Sequence, residues 1–404
     1  MDKEEKNETV EEIEETEEEV DELEDNEEFT YTLDNNGTTT NNNYNKNSYI
    51  YILAGFIILI IIIITLVVVV NGKSKKISNY SDVESRLVSA AKKYYDKYPE
   101  QLPQMENVAM SIDAEKLIQN SFLKPFSEMV KDDVECTGQV KVYKNDEIYS
   151  YFPYLNCGTS YKSEKLKDKI VDENLVTDGN GLYRINNEYI YRGEFPNNYV
   201  KFNNETWRIV RINNDGTIKM VLTEKKPEKI EWDDRYNNER SSYTGKNDFK
   251  ISRVNDELKK LYDENKYVNK ENKELLVKGT WCIGKVPEDG IEISNLNLCN
   301  DTYENLYIGL LTIEDVLIPS LDNTCVSVFD GACTNYNYFE DISVGWTMTA
   351  GLNKTYTVFT ANQASLEVKN ASSNNTIRPV ININSDTLYK SGNGTEKDPY
   401  IIGK

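Results

Sequence analysis

The chain has 404 residues, with 46 lysines and arginines against 68 aspartates and glutamates, a net charge of −22 and no histidine. Without histidine, Ser-His-Asp and Cys-His catalysis are excluded, and the commonest metal ligand and near-neutral proton carrier is missing. The acidic balance, with no basic stripe of interleaved aromatics, gives no support to nucleic-acid binding.

Residues 1–48 hold eighteen acidic and three basic residues and no cysteine. Val10, Ile13, Val20 and Leu23 stand at heptad-like spacing, but Glu17 interrupts the seam and like charges surround it. The segment therefore reads as an acidic disordered tail. Its functional reading is a docking segment for a basic cytoplasmic partner. Residues 35–47, rich in Asn and Thr, form a polar spacer with no core-forming residues.

Ile50–Val70 is uncharged and almost wholly aliphatic. As a helix at about 1.5 Å per residue it spans about 31 Å, the thickness of a bilayer core, and it predicts a single transmembrane helix over residues 49–72. A cleavable signal peptide starts near a basic n-region and ends on small residues, whereas 49 residues precede this run and Asn71-Gly72-Lys73 is a poor cleavage site. Its flanking charges and the cysteines disagree about orientation. Lys73, Lys75, Lys76 and Arg86 follow the run and only Lys46 precedes it closely. The positive-inside tendency would then put the C-terminal side in the cytoplasm, although it weakens for long translocated domains. All six cysteines, Cys136, Cys157, Cys282, Cys299, Cys325 and Cys333, lie after the run, with no CxxC among them. Short local spacings of an even number of thiols fit disulfides in an oxidising compartment better than zinc. The expectation is an uncleaved signal-anchor in the cell membrane, with the N-terminus cytoplasmic and the C-terminal domains extracellular.

Residues 80–172 read as a membrane-proximal α+β module. Ser81-x-x-Glu84 predicts a capping box, and Val83, Leu87, Ala91, Tyr94 and Tyr98 then share one helical face that Pro99 closes. A second short helix is predicted from Ser111. Two strand-like runs, Gly138–Tyr143 and Glu147–Tyr154, are joined by Lys144-Asn145-Asp146. Pairing about that turn brings Cys136 opposite Cys157, which favours a disulfide at the open end of the hairpin. Tyr151, Phe152 and Tyr154 offer a binding face, but core packing is the better reading.

Residues 178–404 are mainly strands. Val200–Phe202, Thr206–Ile212 and Thr217–Leu222 alternate about turns at Asn203-Asn204 and Asn213-Asn214-Asp215-Gly216. A helix over Ser252–Tyr262 places Val254, Leu258, Leu261 and Tyr262 on one face, and strands return near Gly345–Met348, Thr355–Thr360 and Arg378–Ile383. Neighbour pairing, Cys282 with Cys299 and Cys325 with Cys333, is the simplest connectivity, with the others left open. Trp207 and Trp346 invite a sugar-stacking or hot-spot reading. A tryptophan in a strand motif is more often core, so neither is named as a site.

The run IYRGEFPNNYVKFNNETWRIVRINNDGTIKMV resembles the opening of a domain of unknown function found on surface proteins of gut Firmicutes and their wall-less relatives. WDDRYNN, SRVNDELKKLY, GTWCIG, YIGLLTIEDV, GWTMTA, NTIRPVININSD and GNGTEKDPYII follow in the family's order. The stretch YIGLLTIEDVLIPS departs from its usual continuation. The resemblance implies a C-type-lectin-like fold related to the formylglycine-generating enzyme, and the CTGQVKV…YFPYLNC pattern looks like a pilin-like spacer. It carries over no catalytic residue, metal or cofactor, because the fold hosts enzymes, sugar binders and protein binders alike.

The fold expected is thus a single-pass membrane protein with an α+β ectodomain: a pilin-like helix-plus-hairpin module, then a strand-rich C-type-lectin-like domain. The function expected is non-enzymatic display of a domain that binds an extracellular glycan or protein. The alternatives are transmembrane signalling or wall-associated regulation through the tail, and an ectoenzyme using carboxylates.

Overall fold

The structure is a computed structural model that describes residues 79–130, 134–223 and 228–403, together with Ile57, Leu59 and Ile60. The acidic tail, and all but those three residues of the predicted span, lie outside the described residues. Among the described residues no helix is long and apolar enough to cross a membrane. The chain divides into two compact units, Met1–Lys73 and Ser74–Lys404, and the described residues other than Ile57, Leu59 and Ile60 belong to the second.

Helix α1 (Tyr80–Lys97) starts one residue before the predicted capping box because Asn79 takes the cap, its Oδ1 accepting from the Ser81 amide at 3.0 Å. Glu84 does not turn back to the helix start. It accepts instead from the hydroxyls of Tyr161, at 2.9 Å, and Ser163. The face carrying Val83, Leu87, Ala91 and Tyr94 is buried as its spacing requires. Strand β1 (Met110–Asp113) occupies the position where a helix is predicted from Ser111, and helix α2 begins only at Ala114 and runs to Gln119. The reason is tertiary: β1 pairs antiparallel with the edge of β2 (Thr137–Asn145), Ile112 opposite Val140, which satisfies backbone groups a local reading leaves unassigned.

Strands β2 and β3 (Ile148–Asn156) form the expected hairpin, in register from Thr137 opposite Asn156 to Asn145 opposite Ile148. The turn falls on Asp146-Glu147, with Asp146 at φ 53°, one residue later than predicted. Asn145 stays in the ladder, and its side chain donates to the Leu276 carbonyl at 2.6 Å. Cys136 and Cys157 close the open end, with Cα atoms 4.1 Å apart. One face of the hairpin packs Val140, Val142 and Leu155 against Leu87, Leu117 and Phe126. Helix α3 (Leu166–Asn174) follows, and its Leu166 and Ile170 belong to the distal core, although they fall within the predicted first module.

The distal region is built on a nine-stranded sheet. Its chain begins with β4 (Gly181–Ile185), β5 (Glu188–Arg192), β6 (Tyr199–Phe202), β7 (Glu205–Ile212) and β8 (Ile218–Leu222). Asn203 and Asn204 both adopt positive φ, 55° and 62°, the backbone a two-residue turn needs between β6 and β7. Helix α4 (Arg253–Asp263) is capped by Ser252 and buries Val254, Leu258 and Leu261. A long stretch of short turns leads to helix α5 (Ile313–Leu317) and then to a hairpin system over residues 345–370. The segment Val380–Ile383 returns to pair with β8, so a strand from the end of the chain lies in the interior of the sheet. Trp207, Trp281 and Trp346 are buried in this core. Gly309 lies against Trp281, where an added Cβ would come within 2.4 Å of the ring, so GTWCIG and YIGLL fit only with glycine there. The described residues are thus a strand-rich α+β structure.

The hairpin docks on the distal region through a buried polar contact. Asp386, 3% exposed in its side chain, lies 3.2 Å from Lys141 Nζ and 2.6 Å from Lys165 Nζ. It also accepts from the Tyr143 hydroxyl at 2.5 Å. Tyr307 donates to Asn145 at 2.9 Å and to Asp146 at 2.8 Å, fastening the hairpin tip. Tyr143 and Tyr154 belong to this contact rather than to an open face.

Candidate functional site

Strand β7 reads Trp207-Arg208-Ile209-Val210-Arg211-Ile212, two cations in an otherwise apolar strand whose positions here are all buried. Its pairing with β8 shifts register between Ile209 and Arg211. A bulge adds one residue, which returns positions three apart to the same face. Both arginines accordingly act on the hydroxyl of Tyr338. Two polar clefts open along this strand.

The first cleft, of about 330 Å³, holds an ion cluster around Asp315. Arg211 places Nη1 2.9 Å from Glu188 Oε2 and Nη2 2.7 Å from Asp315 Oδ1. Lys219 Nζ lies 2.7 Å from Asp315 Oδ2. That same Oδ2 accepts from the amide of Thr312 at 2.9 Å, and Thr312 accepts from the Asp315 amide at 3.2 Å, a capping box that starts α5. Asp315 is fully buried, and burial alone would push its carboxyl up. Lys219, Arg211 and the hydrogen bonds together outweigh that and hold it well below the ordinary carboxylate range. Glu314 is pushed up by burial, a shift that nearby Arg211 only partly offsets. The cations here are spent on Asp315 and Glu188. The arrangement holds shape, and it leaves little charge for a ligand.

The second cleft, of about 450 Å³, is differently built. Its floor is Arg208, 3% exposed, with its guanidinium stacked between the rings of Tyr199 and Tyr338 at 4.5 Å from each centroid. Nε donates to Asn198 Oδ1 at 2.8 Å and Nη1 to the Tyr338 carbonyl at 3.3 Å. Among the described residues no carboxylate forms an ion pair with it. Burial lowers its pKa, while Tyr199, Tyr338, Asp341 and Glu396 act in the opposite direction. Glu194, Asp341 and Glu396 surround the mouth, and Phe195 stands beside it 68% exposed. The walls are pinned by backbone bonds, Gly193 to Pro319 at 2.8 Å, Tyr338 to Gly193 at 2.9 Å and Tyr199 to Gly394 at 2.8 Å. A rigid cleft with a desolvated cation at its floor and acids at its mouth is suited to binding.

No family model matches the chain, and no curated protein or solved structure matches it either.

The three disulfides are Cys136–Cys157, Cys282–Cys299 and Cys325–Cys333, the pairs that neighbour spacing favours. Cys282 and Cys299 line the Asp315 cleft. Trp207 donates Nε1–H to the Phe202 carbonyl at 3.2 Å, and Trp346 donates to Ile230 at 2.9 Å. With both rings at 0% exposure, neither can stack on a sugar. Among the described residues, no three or more Cys, Asp or Glu are grouped to hold a metal ion. Arg208, Arg211 and Asp315 match no site motif in the sequence. Two arginines inside a run that is otherwise Trp, Ile and Val are the signal that marks them.

Proposed function

We propose that the chain is a single-pass membrane protein of the cell surface, anchored by Ile50–Val70, which displays residues 80–404 outside the cell as a non-catalytic, ligand-binding ectodomain. The observation that carries this reading is the placement of all three disulfides, each closing a short local loop, C-terminal to the one aliphatic run. The ordered motifs quoted above support a lectin-like character for the distal domain, and the CTGQVKV…YFPYLNC pattern supports a pilin-like one for the hairpin module. The Asp386 contact supports a spacer that carries the distal region as one body. The Arg208 cleft supports binding, since it offers one buried guanidinium together with a set of carboxylates as fixed polar contacts for a ligand. In this reading the acidic tail is cytoplasmic and free to meet a basic partner.

External protease added to intact cells tests the proposal. Fragments from residues 80–404 are expected in the supernatant while an epitope on residues 1–48 stays protected until lysis. Protection of the distal region with digestion of the tail would reverse the topology and remove the proposal.

A further inference from the structure

Arg208 has five N–H groups, of which Asn198 and the Tyr338 carbonyl take two. Both ring faces of the guanidinium are covered by tyrosine, so its remaining N–H groups have only the cleft to turn to. No Arg208 nitrogen is both buried and unpartnered, so these remaining N–H groups meet cleft water that a ligand can displace. An acceptor of negative charge, best a carboxylate that can take two parallel N–H bonds, fits that floor.

The mouth asks for the opposite charge. Glu194, Asp341 and Glu396 are all part of the lining, and Asp341 and Glu396 are close enough to act on Arg208. A simple anion would have to sit among three carboxylates. A simple cation would face the like charge of Arg208. A neutral polyol would supply hydrogen bonds while compensating neither charge. A ligand with a carboxylate and an ammonium a few ångströms apart satisfies both ends. Exposed Phe195 beside the mouth gives an apolar side chain something to cover.

We propose that the Arg208 cleft binds a free α-amino acid, its carboxylate on the cleft-facing N–H groups of Arg208 and its ammonium among Asp341, Glu396 and Glu194. This rests on the ligand-binding reading above and names the chemical class of ligand for it. The ring of Phe195 selects apolar over charged side chains.

The test uses the full chain in detergent micelles, titrated calorimetrically with each of the twenty standard amino acids, then with the amide and the N-acetyl derivative of the best binder, and with glucose and N-acetylglucosamine. Saturable binding of at least one amino acid is expected, weakened about tenfold or more when either charged group is capped. Arg208→Lys is expected to abolish binding. Because Arg208 is buried and its replacement threatens folding, the exposed pair Asp341→Asn with Glu396→Gln is the second variant. It is expected to keep the unfolding midpoint and to weaken binding about tenfold. No amino acid binding at concentrations up to about 10 mM, or equal binding of the capped derivatives, overturns the proposal. Binding of the sugars without any amino acid also overturns it, and leaves the ligand-binding reading standing. Failure of the protease experiment removes the surface reading, and leaves this titration to stand or fall separately.

Discussion

Asp315→Ala is expected to destabilise the region by about 3–5 kcal/mol, measured as the loss of unfolding free energy of the full chain in denaturant. The carboxylate is wholly excluded from solvent, and the side chains of Arg211 and Lys219 are only 10% and 14% exposed. Removing it leaves two cations with little water to turn to, and Arg211 keeps only Glu188. The Asp315 half of the capping box, its bonds from the Thr312 amide and hydroxyl, is lost at the same time, while Thr312 still caps α5. A triple variant that also replaces Arg211 and Lys219 with methionine is expected to lose less than Asp315→Ala alone, because uncompensated charge costs more than absent charge. A single variant within about 1 kcal/mol of the parent would show that the cluster is not structural.

Acidification gives the second large effect, and its sign changes on the way down. Glu84 and Glu314 are raised above an ordinary value of 4.5, in both cases by burial first. A group with a raised folded-state pKa contributes stability that is full below its unfolded value and fades as pH climbs through the folded one. Lowering the pH from 7 toward about 5 therefore stabilises, and relieves part of the self-repulsion of the net charge of −22. Asp315 and Asp386 are opposite. Burial pushes each up, but lysine contacts and hydrogen bonds win and hold both far below 3.8. Their contribution is full above 3.8 and is lost as pH falls from there toward their folded values. Protonating both therefore removes two stabilising contributions at once. The unfolding midpoint is expected to rise from pH 7 to about 5 and to collapse below about 3.8. A midpoint that falls steadily from pH 7 downward would contradict the assignment of Glu84 and Glu314.

Much of the fold is legible in short patterns, and the misses share a cause. Asn203-Asn204, the Ser252 cap and the alternation on either side of Asp146 are local signals whose chemistry needs no distant partner. The neighbour cysteines work the same way, since a hairpin or loop brings its own ends together. Ser111–Asp113 reads locally as helix, and only the edge of β2 makes it a strand. Glu84 has the spacing of a cap, but Tyr161 and Ser163, far along the chain, take it instead. The second cleft is harder still. Arg208, Tyr338, Asp341 and Glu396 meet only once the turns after α5 and near the C-terminus have packed around β7, and no spacing in the chain anticipates that.

The central claim, an anchored protein with its cysteine-bearing region outside the cell, is tested most directly by thiol trapping. Cells are quenched in acid, and the full-length chain is denatured and treated with a maleimide before and after reduction. The account predicts no label before reduction and six labelled cysteines after it. Six cysteines labelled before reduction would place this region in a reducing compartment and contradict the account.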